Sequence, residues 1–561
     1  MPKNKRAPKN PALNKANGCA LLAVVVVVIG IGAAMCGIAG VFMLLNNDAS
    51  ATPAPQTATL DLAYSPEKDA LMQDLVARFN KANYKTPSGL PMKINATKLD
   101  AADIVEQARA GKFTAINPDS SLWLAQIDAG LDRPLVGEAT RFAVTPVVIA
   151  MWNEVAQVLG HPQKQIGWKD LLTKARSDPN FKWSHPSTSS ASGLLATLAE
   201  FYAGANKTRN LTEDDLQNRA TLDYVAALEK TVRYYGEGEA ATIDQVLKSG
   251  RSYLDAFIVS EQMVIYFNTK SAQKLVAIYP VEGTLWQDHP LALLEQPTLT
   301  NDQRLTYRRL RDFLLASETQ KLILQAGYRP VDLNLRLDDP ASPIKTANGV
   351  DPAQPQTTLQ MPNPAIIEQV QAVWYLAKRP ANIYLIADTS GSMGEQNKLT
   401  QAVDALNTFL DQVQGDRDRV GLVPFSNRVY NAVAPQDVSK QRAALKTQVS
   451  GLRASGQTAL LDAVQYAYDD LQKRNERDRI NAILVMTDGI ENSSQTNLNA
   501  LAQKIKRTNQ TGVPVVIFCI GYGNDADWNV LNTLAETTGG FARRADPETI
   551  RKLYKILSTY F

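Results

Sequence analysis

Residues 383–392, IYLIADTSGS, limit the architecture more than any other stretch of the chain. Ile383, Leu385, Ile386 and Ala387, with Tyr384 among them, make a short apolar run that stops at a Gly/Ser turn, the pattern of a central parallel strand. Asp388, Ser390 and Ser392 follow at alternate positions, with Gly391 between the serines. They therefore fall at the carboxyl end of the strand, where open α/β sheets carry their sites. One carboxylate and two hydroxyls on a tight loop are hard oxygen donors, suited to Mg²⁺ or Mn²⁺ rather than to a soft metal.

Two later stretches extend the pattern. Residues 480–490, INAILVMTDGI, form a second apolar strand ending in Asp488, and residues 455–458 lead into an amphipathic run over 459–471, placing Thr458 near a helix start. Singly, Asp388 reads as a turn cap, the serines as helix caps and Asp488 as part of a TDG turn. In this order and context, the DxSxS, Thr and TDG elements resemble the von Willebrand factor A (VWA) domain over residues 380–561. The resemblance implies a metal-ion-dependent adhesion site. Ser390, Ser392 and Thr458 would offer hydroxyls to Mg²⁺ (or Mn²⁺ or Ca²⁺), Asp388 and Asp488 would bind directly or through water, and one position would stay open for a partner's acidic side chain.

The 561 residues suggest three or four domains. Of the 59 Lys and Arg, five lie in the first 18 residues, leaving 54 against 56 Asp and Glu, so nothing suggests a nucleic-acid footprint. Cys19 and Cys36 fall in an apolar run and Cys519 in an apparent buried strand, which gives no disulfide framework. His161, His185 and His289 show no zinc-ligand spacing.

Residues 1–18 read as a basic cytoplasmic tail and 19–45 as a transmembrane helix. Those 27 residues carry no charge, and as a helix they span about 40 Å against a hydrocarbon core of ~30 Å. The basic flank predicts a single pass with the N-terminus cytoplasmic and the bulk extracytoplasmic. Residues 49–51, ASA, can also be read as a cleavage site. Gly32, Cys36 and Gly40 have small-xxx-small spacing, which permits close helix packing but is also common in membrane helices. Residues 46–58 read as a stalk.

Residues 59–335 alternate between strand and helix patterns, enough for two α/β lobes, lobe I at about 59–145 and 268–335 and lobe II at about 146–267. Residues 254–267 and 275–280 read as strands and 301–327 as helical. Residues 142–152 (FAVTPVVIAMW), 185–193 (HPSTSSASG), 276–294 (ending DHPLALL) and 326–330 (AGYRP) resemble the hinge strand, ligand loop, return crossing and C-terminal end of the type II periplasmic (extracellular) solute-binding proteins. Ser187, Thr188, Ser189, Ser190 and Ser192 place hydroxyls beside a helix N-terminus, which favours an anion or a carbonyl-rich ligand. A Ser-rich cap without a ligand fits equally. Ser65 and Trp123 are further candidates to line the cleft, against the readings of a cap and a core aromatic.

Six prolines between 340 and 364 make residues 336–364 an extended linker. Residues 365–561 form the VWA-like domain with a leading helix at 366–378; its strands at 419–425 and 428–433 are close enough for a hairpin. The predicted fold class is α/β throughout, with a Rossmann-like doubly wound sheet in the last domain. Residues 521–526 match GxGxxA but lack the helix and the later acid of a dinucleotide site, so they read as loop geometry at the metal edge.

No catalytic residues are predicted: the chain has no nucleophile–base pair, Walker motif or HExxH. The expected function is a membrane-anchored binding protein that captures a protein partner's Asp or Glu at the metal, with a solute-binding-like region for a small-molecule or anionic solute. The alternative is the substrate-binding receptor of an ABC-type transporter with an accessory VWA domain.

Overall fold

The computed structural model describes residues 57–561, apart from 524 and 548. The expected tail, membrane helix and most of the stalk lie outside the described residues. Among the described residues no helix is long and apolar enough to cross a membrane.

In chain order the first strands are β1 (Ala58–Tyr64), β2 (Met92–Lys98), β3 (Ala115–Asn117), β4 (Val136–Arg141), β5 (Ala143–Trp152), β6 (Trp183–Ser184), β7 (Ala256–Ser260), β8 (Leu275–Ile278), β9 (Trp286–Gln287), β10 (Pro290–Leu294) and β11 (Arg329–Pro330). One sheet has the order β2-β1-β3-β10-β4, and a second has β11-β5-β7-β6 with β8 and β9 also on β5. These are the two lobes. β5 leaves the first sheet directly after β4 and runs as the spine of the second, as the hinge-strand resemblance implies. The return crossing comes later than expected: β8 and β9 still pair with β5, and the chain rejoins the first sheet only at Pro290.

Three local expectations change. Residues 254–267 split into β7 and a helix, Glu261–Lys270, because Ser260 turns the chain with its backbone N–H and hydroxyl both held by the buried Glu239 carboxylate. The predicted single helix at 301–327 is two, Asn301–Leu315 and Ser317–Gln325, broken at the extended Ala316. Residues 336–364 are not a loose linker. Ile344, Val350 and Leu359 are buried, the Ala277 N–H donates to Gly349 O at 2.7 Å, and Leu359 N–H donates to Thr284 O at 2.9 Å. The prolines keep this strap extended while it packs along the second lobe.

The third sheet comprises β12 (Ala381–Asp388), β13 (Arg419–Phe425), β14 (Val433–Asp437), β15 (Ile480–Thr487), β16 (Val515–Tyr522) and β17 (Ala542–Ala545), ordered β14-β13-β12-β15-β16-β17. All pairings are parallel except the edge pair β13–β14. The predicted second hairpin strand therefore lies later, at 433–437, with residues 426–432 as its loop.

Every residue of β12, β15 and β16 is buried because helices cover both faces. Ile383, Leu385 and Ala387 meet Leu406, Phe409 and Tyr554 of the helices Lys398–Gln412 and Ile550–Ser558. Tyr384 and Ile386 face the helix Leu460–Arg474 on the other side.

The second lobe and the third sheet's domain share one apolar core. Phe518 of β16 lies 6.0 Å from the Tyr234 ring and 5.1 Å from that of Tyr560. Tyr235 N–H donates to Tyr560 O, and Arg379 Nη1 donates to Val232 O at 2.7 Å.

Candidate functional site

β13 lies on one side of β12 and β15 on the other, so the chain reverses its winding direction between β12 and β15. Such a switch point opens a crevice at the carboxyl ends of the strands. The register Ala387↔Met486 sets Asp388 beside Thr487 and brings Asp488 to the same edge. The third segment is tied in through the backbone. Gly391 N–H donates to Gly456 O at 2.9 Å, Ser455 N–H to Thr389 O at 2.8 Å, and Asn492 N–H to Thr458 O at 3.1 Å. Thr458 N–H in turn donates to Asn492 Oδ1.

All five predicted metal-site residues therefore converge. Ser390 Oγ and Ser392 Oγ are 3.1 Å apart, and Ser392 Oγ donates to Asp488 Oδ1 at 2.7 Å. A Cβ at Gly489 would sit 2.9 Å from Thr458 Oγ1 and 3.7 Å from Ser392 Oγ, so glycine lets these hydroxyls close over the loop. Asp388 Oδ1 accepts from Ser390 N–H at 2.7 Å, and its other oxygen accepts from the Thr487 hydroxyl. Asp388 and Asp488 are fully buried. Burial, with Asp488 adding to it, pushes the Asp388 carboxyl up to about 6 against the pull of its hydrogen bonds. Two inward carboxylates and three hydroxyls make an all-oxygen donor set that fits a hard dication.

Sequence reasoning missed one member of this site. Lys398, almost buried, places Nζ 2.6 Å from Asp488 Oδ2. It lies six residues beyond Ser392 at the start of a helix, and nothing in its surroundings marks it. A Cβ built on Gly523, at φ +84°, would lie 3.9 Å from Lys398 Cε, so the GxGxxA segment borders the edge that carries Asp488.

The second candidate site is a cleft of ≈ 1040 Å³ between the lobes. Ser65 and Glu67 line it from lobe I, Ser190 and Glu239 from lobe II, and Arg543 and Lys555 from the third domain. Of the expected ligand residues, Ser65, Ser189, Ser190 and Ser192 line the cleft. Ser187, Thr188 and Trp123 do not: all three are buried, and Trp123 Nε1 donates to Asp119 at 2.6 Å. Ser190 caps the helix Ala191–Ala205, accepting from Gly193 N–H. Ser65 does not cap; its hydroxyl donates to Glu67 Oε1 and accepts from Lys68 Nζ.

Two carboxyls in the cleft, Asp119 and Glu239, are buried. Burial and the Glu67 charge push Asp119 up to about 8 and Glu239 up to about 7. Lys68 is the buried cation beside them, 3.0 Å from Glu67. These groups were illegible in sequence because they come from separate elements.

The last helix of the third domain forms part of this cleft's rim. Lys552 pairs with Asp103 at 3.2 Å, Lys555 with Glu106 at 3.2 Å and Arg543 with Glu237 at 2.9 Å.

The fold defines a class: a two-lobed α/β module with a cleft between its lobes, fused to a doubly wound domain whose strand ends gather two carboxylates and three hydroxyls. Residues 60–329 match the family of bacterial extracellular solute-binding proteins, and residues 382–555 match the von Willebrand factor type A domain. The chain carries one domain of each kind. It is 28% identical over 180 residues to the human inter-alpha-trypsin inhibitor heavy chain H4, an alignment covering 30% of this chain and 18% of that protein. The chain thus spans about a fifth of the length of the curated relatives it matches. Among solved structures, a von Willebrand factor type A protein from Catenulispora acidiphila aligns with 22% identity and TM-score 0.28, covering 32% of this chain and 43% of that one. The ferric binding protein from Campylobacter jejuni aligns with 12% identity and TM-score 0.39, covering 57% and 96%.

Proposed function

We propose that this is a membrane-anchored, extracytoplasmic binding protein whose VWA domain holds a divalent cation and uses it to capture an acidic side chain of a protein partner. The observation that carries this reading is the gathering of Asp388, Ser390, Ser392, Thr458 and Asp488 at one switch point. Mg²⁺ there would supply a Lewis-acidic, positively charged point for an incoming carboxylate. Ser390, Ser392 and Thr458 add donor oxygens without adding charge, so the two carboxylates balance the dication without overcharging it, and its open coordination position would take a third carboxylate as a ligand. The anchor rests on the uncharged run at 19–45 and its basic flank.

The cleft of the other module is the place for a small solute. Its buried Asp119 and Glu239 hold their protons up to about 8 and about 7, so they offer a solute hydrogen-bonding carboxyls rather than charge, and the buried Lys68 is already paired with Glu67. The same cleft supports the receptor of an ABC-type transporter as a second reading; in-cell crosslinking of the full chain to a permease would favour it.

The test of the first reading is a peptide-display selection against the immobilised full chain in Mg²⁺. Enrichment of Asp- or Glu-bearing peptides, released by EDTA and lost with Asp488→Ala, is expected. Enrichment indifferent to EDTA or to acidic residues would overturn it.

A further inference from the structure

Behind the serine loop of the cleft lies a closed cluster unrelated to the VWA edge. His185, Glu200 and Glu229 are all buried to less than 2% exposure, and one ligand atom of each lies within 4.8 Å of the others. Glu200 comes from the helix Ala191–Ala205 and Glu229 from the helix Arg219–Glu229. Among the described residues, no N–H or hydroxyl group donates to either oxygen of Glu200. A fully buried carboxyl without a donor is costly unless something else meets it.

The surroundings of the other two residues specify what could. His185 Nδ1 lies 2.8 Å from Pro186 O, an acceptor only, so Nδ1 carries a proton and Nε2 is the ring nitrogen that faces Glu229. That outer hydrogen bond to a backbone carbonyl is how a metal-ligating histidine is fixed in orientation and tautomer. Nε2 is 3.3 Å from Glu229 Oε2, close to the edge of a coordination tetrahedron with bonds of about 2.0–2.1 Å. Glu229 is itself held: Trp374 Nε1 donates to Oε1 at 2.6 Å and the Tyr235 hydroxyl to Oε2 at 2.7 Å. A dication with two carboxylates and a neutral imidazole makes a neutral set, as a dry interior requires.

We propose that His185, Glu200 and Glu229 hold a structural divalent cation of the zinc class. One imidazole with two carboxylates suits Zn²⁺ best, with Mn²⁺ next. The ion would brace the cleft loop from behind. Through Glu229 and Trp374, it would also fasten lobe II to the helix Pro364–Ala377 that leads into the VWA domain.

The competing arrangement is a proton shared between the carboxyls. Burial and the Glu229 charge do push Glu200 well above the usual carboxyl range, so without a cation it is a neutral acid. Glu200→Gln separates the two, because an amide reproduces a neutral acid but is a poor ligand. The experiment is elemental analysis of the purified full chain, stripped with a chelator and reloaded with Zn²⁺ alone, with thermal denaturation of each form. The proposal expects about one tightly held ion per chain. That ion should be retained in Asp388→Ala, which disables only the VWA edge, and lost in Glu200→Gln together with the metal-dependent rise in melting temperature. No retained ion in the wild type, or an ion retained in Glu200→Gln, would overturn it, as would equal melting temperatures of stripped and reloaded wild type.

Discussion

Lys398 Nζ sits 2.6 Å from Asp488 Oδ2, so the VWA edge already holds one positive charge of its own. The ammonium balances one of two buried carboxylates and stands in competition with any cation that Asp488 serves.

Removing that charge should sharpen metal binding. Lys398→Met leaves Asp388 and Asp488 without an internal counter-charge, and Mg²⁺ affinity is expected to rise by roughly tenfold or more, given that unit charges 4 Å apart interact by up to ~4 kcal/mol near a protein surface. Without metal the same variant should melt earlier than wild type. Calorimetric titration together with melting in EDTA checks both; unchanged affinity would mean that the ammonium and the metal do not compete.

The cleft should make stability depend on pH. Asp119 and Glu239 keep their protons in the fold, up to about 8 and about 7, while the unfolded chain releases them in the ordinary carboxyl range. The folded form therefore binds more protons across this window, and stability falls as pH rises from about 4 to 8, by at most about 1.4 kcal/mol per pH unit for each group. Melting temperature should drop between pH 6 and pH 8, and Asp119→Asn should flatten the drop. Glu67 and Lys68, beside both groups, are present in either variant.

The shared core between the modules predicts joint unfolding. Phe518 is fully buried against Tyr234 of lobe II and Tyr560 of the C-terminus. Phe518→Ala should cost about 3–5 kcal/mol and split one calorimetric transition into two. The rim pairs of Lys552 and Lys555 are half exposed, so reversing them should cost no more than ~1 kcal/mol each.

The gathering of oxygen donors at the strand ends was legible in the sequence because each of the three segments joins an apolar strand, or a helix start, to an oxygen-bearing turn. Strand ends in a doubly wound sheet meet by topology, so Asp388, Thr458 and Asp488 could be placed together without coordinates. Lys398 could not, because a helix-start lysine reads as solvated until the fold buries it. In the two-lobed region the hinge strand was readable from its ten-residue apolar run, β5. The strap at 336–364 was misread because proline content reports extension, and extended chain can be loose or pinned. His185 showed no ligand spacing because its neighbours Glu200 and Glu229 arrive from two different helices. Thr188 was assigned to the cleft with the rest of its serine-rich loop, and Trp123 as a further lining candidate against the reading of a core aromatic; both are buried and neither lines it.

The central claim is that the VWA edge holds a divalent cation. Titration of Mg²⁺ into the chelator-stripped full chain tests it most directly, with Asp388→Ala and Asp488→Ala beside the wild type and far-ultraviolet circular dichroism to verify the fold. The account predicts saturable binding at about one ion per chain in the wild type and at least a tenfold loss of affinity in either variant. Absence of binding in the wild type, or equal affinity in all three proteins, would contradict it.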